Sequence, residues 1–149
     1  GEASRAGWTT EADLLDGQRT DTASVLATID ASEERIVLAF DGDALVGSVL
    51  LRDEGRGSAY TGMLAVRPTL QGRGVGRALL REAERLAASE LAATTMRMTV
   101  IALRTELVAW YERQGYRRTG EREPFPYGDE RFGRPRRDDL SFVVLRKAL

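Results

Sequence analysis

Three glycines at alternate positions, Gly72, Gly74 and Gly76, sit in the stretch LQGRGVGRALL and open directly onto a run with helical spacing. Bare backbone at the mouth of a helix suits an anion. The first-turn N–H groups lack partners, the helix dipole adds about half a positive charge, and no Cβ blocks the approach. Arg73 and Arg77 flank the turn and can add charge-assisted contacts. The chemistry this invites is the holding of a phosphate or pyrophosphate. The competing reading is a strand–helix connection whose glycines serve packing alone. Two phosphate motifs fall on spacing. A P-loop ends in Gly-Lys-Ser/Thr, whereas Arg77 and Ala78 follow Gly76. A dinucleotide fingerprint needs a third glycine where Arg77 stands, and no early β-α-β unit surrounds it.

What the chain lacks narrows the rest. It contains no His and no Cys, which removes disulfides, zinc sites of the usual ligand types, Cys nucleophiles and Ser-His-Asp arrangements. Acid–base work falls to carboxylates, tyrosines, a chain amine, water, or Lys147, the one lysine among 22 basic residues. A formal charge of -1 gives no pull toward nucleic acid. No apolar run reaches the roughly 18 residues of a membrane span, no leader segment is visible, and a cytoplasmic location is expected. The 149 residues, 42% hydrophobic and 30% charged, fit a single globular domain over 1–149.

These residues need elements to hold them. WTTEADLL reads as a short helix with a Thr cap, and a second helix is expected from Asp21 to Asp30. IVLAF and ALVGSVLL form a hairpin around Asp41-Gly42-Asp43. Ala59 to Val66 is a third strand, stopped by Arg67-Pro68, and a helix runs from about Val75 to Ala88 with Val75, Leu79, Ala83 and Leu86 on one face. MRMTVIAL is a fourth strand, and TELVAWYERQ a helix closed by Gly115. YRRTGE and DLSFVVLRK complete an order β-β-β-α-β-α-β-β, an α/β sheet of mixed direction covered by helices.

Gln71-Gly72-Arg73-Gly74-Val75-Gly76 after a strand resembles the first signature of the GCN5-related N-acetyltransferase (GNAT) family, Gln/Arg-x-x-Gly-x-Gly/Ala. About 35 residues on, AWYERQGY is similar to the second, a Tyr four residues before Gly-aromatic, here Tyr111, Gly115 and Tyr116. The resemblance covers roughly 36–149. It implies a mixed, mostly antiparallel sheet flanked by helices and splayed between the strands at 59–66 and 96–102. It further implies acetyl-CoA as acyl donor and an amine as acceptor. Leu64, Ala65 and Val66 would pair with the pantetheine arm as a strand would, and amides from Gln71 through Gly76, with Arg73 beside them, would hold the pyrophosphate. Tyr111 would face the sulfur and protonate the leaving thiolate; its other reading is a core aromatic beside Trp110.

Departures from the family pattern shape the remaining expectations. Where many members carry an Asn seven residues before the tyrosine, this chain has Arg104. The fourth strand holds no carboxylate, so the base is open among Glu11, Asp13, Glu106, Asp129, Glu130 and a water relay. The family opens with a strand that no segment of the first 35 residues matches, so the domain is expected to lack its N-terminal strand and to leave 36–40 as an exposed edge. Arg122 to Asp139 reads as a long loop whose Tyr127, Asp129 and Glu130 would wall the acceptor site; the alternative is a structural flap or a homodimer contact. No metal, nucleic-acid or membrane partner is expected. The alternative to an enzyme is a non-catalytic acyl-CoA-binding module.

Overall fold

The computed structural model describes residues 25–31, 34–124 and 141–149. Within them the chain runs β1 (Val25–Ala31), β2 (Glu34–Asp41), β3 (Ala44–Gly55), β4 (Ser58–Val66), a short 3-10 turn (Pro68–Leu70), α1 (Val75–Glu90), β5 (Thr95–Ile101), α2 (Thr105–Arg113), β6 (Arg117–Pro124) and β7 (Ser141–Ala148). The described strands form one sheet in the order β1-β2-β3-β4-β5-β7-β6. All neighbours pair antiparallel except β4 and β5, which run parallel.

Period explains most of these elements. β2 and β3 alternate buried and half-exposed residues, with Val37, Ala39, Val49 and Leu51 turned to one face. α1 lays Val75, Leu79, Leu80, Ala83, Leu86 and Ala87 on that face, against β2, β3 and β4. Its Arg77, Arg81 and Arg85 point to solvent. The helix sits close because β3 has no side chain at Gly47: a Cβ there would lie 2.9 Å from both the Ala65 carbonyl and Leu79 Cδ1. α2 ends as its sequence foretells. Gly115 takes φ 102, and the Tyr116 N–H returns to the Tyr111 carbonyl at 3.2 Å.

Three expectations require correction. Residues 25–31 form a strand, where a helix was expected from Asp21 to Asp30. Val25, Thr28 and Ile29 are β-branched and favour the pleated state. A full ladder with β2, from Val25↔Phe40 to Ala31↔Glu34, then decides the matter. A strand therefore does precede the hairpin, and 36–40 is paired on both sides instead of lying at a bare edge. The long loop also starts later than expected. Arg122, Glu123 and Pro124 belong to β6 and pair with Val143, Phe142 and Ser141. The helix expected at WTTEADLL, and the loop beyond Pro124, lie outside the described residues.

Polar contacts tie this frame at two places. Glu84 of α1 accepts from the Tyr116 hydroxyl at 2.9 Å and from Lys147 Nζ at 3.0 and 3.1 Å; Lys147 also donates to the Gln114 carbonyl at 2.9 Å. This clamp joins α1, the end of α2 and β7. Elsewhere Arg97 of β5 forms a two-bonded pair with Glu54 of β3, at 3.0 and 2.8 Å, and reaches Glu123 of β6 at 2.7 Å. Pairing with Arg97 holds the Glu54 carboxyl below its usual range, outweighing burial.

Candidate active site

The parallel pairing of β4 with β5 covers Ser58↔Thr95, Ala59↔Met96 and Tyr60↔Arg97, and no further. β4 has a local reason to leave. Leu50 opposes Gly62 and Ser48 opposes Ala65, so β4 carries one extra residue in that interval. Met63 lies in this bulge at φ 53, the residue 79% exposed. From Thr61 to Val66 the β4 edge that faces β5 is therefore without a strand partner among the described residues. The splay opens a cavity of about 180 Å³, walled by Thr61 to Leu64 on one side and Met98 to Ile101 on the other. Leu107 and Tyr111 of α2, Arg104 at its N-cap, and Phe142 of β7 close it.

Tyr60 sets the root of the splay. Its hydroxyl and Thr99 Oγ1 are 3.1 Å apart, a hydrogen bond between β4 and β5 just where the ladder stops. The ring lies between two guanidiniums, with Arg52 at 5.1 Å and Arg97 at 4.9 Å from its centroid. Its far end leans over Gly62, where a Cβ would sit 2.8 Å from the hydroxyl and 2.9 Å from Cε1. Gly62→Ala must therefore displace Tyr60, at roughly 1–3 kcal/mol for overpacking. Thermal unfolding checks this. Tyr60→Leu should recover much of the loss in the double variant, because contacting sites are not additive. A fully additive double variant would leave the glycine without this explanation.

The glycine turn lies at the other end of the same edge. Gly74 is the N-cap of α1 at φ 85, and Gly72 stands at φ 87 with nothing within 4 Å of a built Cβ. Both need the left-handed region that glycine enters without strain. The Gln71 and Arg73 N–H groups are used inside the turn, donating to the Pro68 and Leu70 carbonyls at 3.4 and 3.2 Å. The helix's own pattern leaves the first-turn amides outward, and no acidic residue occupies that turn to answer its dipole. Gly76 differs from its neighbours. A Cβ there would make ordinary contacts with Val66, Leu64 and Trp110 at 3.6 to 3.8 Å. Val75 is buried in the core, so of its groups the backbone faces the turn. Leu64 walls the cavity and its Cδ2 would lie 3.8 Å from a Cβ at Gly76, so β4 leads from the splay to the turn.

Tyr111 is buried, edge-on to Trp110 at 5.0 Å and to Tyr116 at 6.2 Å between ring centroids. Its phenol is pushed up to about 12, first by burial and further by Tyr60, while the positive charge of Arg104 works the other way. It thus packs in the core and also lines the cavity. Tyr116 is likewise shifted upward, by burial and by the Glu84 carboxylate it donates to. Lys147, a formal candidate for proton transfer, is tied into that same clamp and lines no part of the cavity.

Not every expected site residue joins this assembly. Leu64 and Tyr111 both wall the cavity, Ala65 and Val66 continue β4 beyond it, and Gly76 of the turn lies near Leu64 and Val66. Glu106 is exposed in the first turn of α2 and does not line the cavity. Among the described residues no carboxylate does. Tyr127, Asp129, Glu130, Glu11 and Asp13 lie outside the described residues. Sequence reasoning missed Tyr60 and Thr99 at the root of the splay. A glycine inside a strand, Gly62, was the available signal. It marked Arg104 only as a departure from the family pattern, and the chain places that residue in the cavity wall.

Comparison with known proteins agrees with this fold. Residues 11–125 match the family described as the acetyltransferase (GNAT) domain. No curated protein matches the sequence. Among solved structures, IAA acetyltransferase from Bacillus cereus ATCC 14579 is similar at TM-score 0.67 and 20% identity, over 79% of each chain. A GNAT family acetyltransferase from Elizabethkingia anophelis, solved with acetyl-CoA bound, has TM-score 0.67 and 18% identity over 79% of this chain and 78% of its own. Ribosomal-protein-alanine N-acetyltransferase from Brucella melitensis has TM-score 0.64 and 20% identity over 79% and 70%. At such identities the structural likeness speaks to the fold. The family pattern itself spans most of the sequence, and the chain belongs to the GNAT acetyltransferase domain family.

Proposed function

We propose that the protein is an acetyl-CoA-dependent N-acetyltransferase, acting by direct attack of an amine in a ternary complex. The observation that carries this reading is the β4 edge beyond Tyr60, which has no strand partner among the described residues and leads from the glycine turn to the cavity that Tyr111 lines. A ligand with a pyrophosphate at one end, an amide-bearing arm, and a reactive thioester at the other matches that line of groups. The reading places the enzyme in the cytoplasm, as a single domain.

Acetyl-CoA, when bound, supplies an acetyl group already activated as a thioester. The backbone of Leu64, Ala65 and Val66 takes the arm through strand-like hydrogen bonds. The first-turn amides at Gly74, Val75 and Gly76, with the open backbone at Gly72, take the pyrophosphate, and Gln71 and Arg73 flank it. A backbone N–H near the bulge steadies charge on the carbonyl oxygen. Tyr111, protonated at neutral pH, gives its proton to the departing sulfur. The cavity orients the amine, which needs only to be neutral and placed. Its surplus proton goes to water. Tyr127, Asp129 and Glu130 remain the proposed wall of the acceptor site.

A thiol-release assay with acetyl-CoA across a panel of small, polyamine and N-terminal peptide amines tests the proposal. Release above the no-acceptor background by at least one amine is expected. The Brucella protein's name makes a ribosomal N-terminal alanine one sensible member of the panel. Calorimetric binding of acetyl-CoA with no release for any amine would favour the non-catalytic binding module.

A further inference from the structure

Among the described residues that wall the splay, Arg104 is the one with a charged side chain. Apolar or hydroxyl-bearing groups make up the rest of that wall, Met98, Thr99, Val100 and Phe142 among them. Its backbone is fixed on both sides. The N–H donates to the Ile101 carbonyl at 2.9 Å, and its carbonyl accepts from the Val108 N–H at 3.0 Å. Tyr111 stands seven residues on, about two helical turns along the same face of α2. The guanidinium has no ion pair among the described residues, whereas Arg52 and Arg97, which flank Tyr60, are each paired with a carboxylate. Arg104 is exposed, and among the described residues no carboxylate answers its charge at the cavity, which leaves the site able to take a negative charge.

We propose that Arg104 stabilises the negative charge that gathers on the sulfur of coenzyme A as the acetyl group leaves. This rests on the acetyltransferase reading above. The amine nitrogen forms the C–N bond with its lone pair, the C–S bond breaks, and its electron pair goes to sulfur. Tyr111 supplies a proton to that sulfur and regains one from water; the nitrogen loses its surplus proton to water. A guanidinium in the cavity lowers the energy of the thiolate before that proton arrives, and of the tyrosinate after it. Beside Arg104, the titratable groups among the described residues that face this point are Tyr111 from α2 and Tyr60 from β4. Neither is positive, so the favourable charge falls to Arg104. Its effect on Tyr111 has the expected sign, favouring the ionised form against burial.

The product form of the cofactor gives a readout apart from turnover. Free alkyl thiols ionise near about pH 8.5, and each unit by which the bound thiol is lowered adds about tenfold to affinity once pH has passed the free value. Affinity for coenzyme A is then flat below the bound value, climbs between bound and free values, and levels above. Acetyl-CoA has no ionisable thiol and serves as control for every other group. Calorimetric Kd values for both ligands are to be measured on the whole chain from about pH 6.5 to about pH 9.5. In the wild type the ratio of coenzyme A affinity to acetyl-CoA affinity should rise about five- to tenfold. Arg104→Lys should keep most of that rise, and Arg104→Gln should lose it while still binding acetyl-CoA. A flat ratio in the wild type, or an undiminished rise in Arg104→Gln, overturns the role of Arg104 alone. Failure of the wild type to bind either ligand overturns the acetyltransferase reading with it.

Discussion

Tyr111→Phe lowers turnover by roughly 10²- to 10⁴-fold while leaving acetyl-CoA affinity nearly unchanged. The substitution keeps the ring and its edge contacts with Trp110 and Tyr116, so packing survives and only the proton is lost. The fall should lie in the lower half of that range. A thiol with an ordinary pKa near about 8.5 departs partly without help. Steady-state kinetics with calorimetric binding of acetyl-CoA checks both halves. Wild-type turnover in the Phe variant would return Tyr111 to a packing role. The pH dependence has a definite sign. Burial raises the phenol from 10.0 to about 12, so it stays protonated across the neutral range. An alkaline fall in activity below about pH 10 then belongs to another group. The same shift links to stability. The raised folded-state value contributes stability in full below the unfolded 10.0, and this is lost as pH rises toward about 12. Alkaline unfolding should therefore be shallower in Tyr111→Phe.

Gly74→Glu should abolish detectable acetyl-CoA binding. Three effects act in one direction. A side chain enters the mouth of α1, its carboxylate occupies the end of the dipole that would meet the pyrophosphate, and φ 85 becomes a strained angle. Strain alone costs about 1–2 kcal/mol and would not empty the site. Gly74→Asn separates the causes, because Asn tolerates the left-handed region and carries no charge. Expected is a folded Glu variant without measurable affinity and an Asn variant weakened to an intermediate degree. Unchanged calorimetric affinity in folded Gly74→Glu would falsify the assignment of the turn to pyrophosphate.

The parts of the site legible in sequence are those set by local rules. The glycine turn, the face of α1 and the Gly115 stop all follow from φ requirements and a 3.6-residue period, and the chain folds them where the pattern puts them. The splay was legible only through the family resemblance. Its cause, the bulge at Met63, depends on how β4 registers against β3, and register is a property of two segments. β1 was missed for the same reason, since the stretch around Val25–Ala31 tolerates either state until β2 supplies a ladder. Arg104 shows a third limit. Family comparison marks it as a departure, and only the closure of β5, α2 and β4 around one cavity says what surrounds it.

The clamp at Lys147 bears on how the protein tolerates its own donor. Acyl thioesters react slowly with any free amine, and an enzyme that concentrates them exposes its own surface to that side reaction. This sequence offers a single lysine. Its amine is held by Glu84 and the Gln114 carbonyl and is largely shielded, at 21% side-chain exposure. Arginine carries the rest of the positive charge and stays protonated. The folded side chains are in effect acylation-proof, and modification of Lys147 becomes a chemical clock for opening of the clamp.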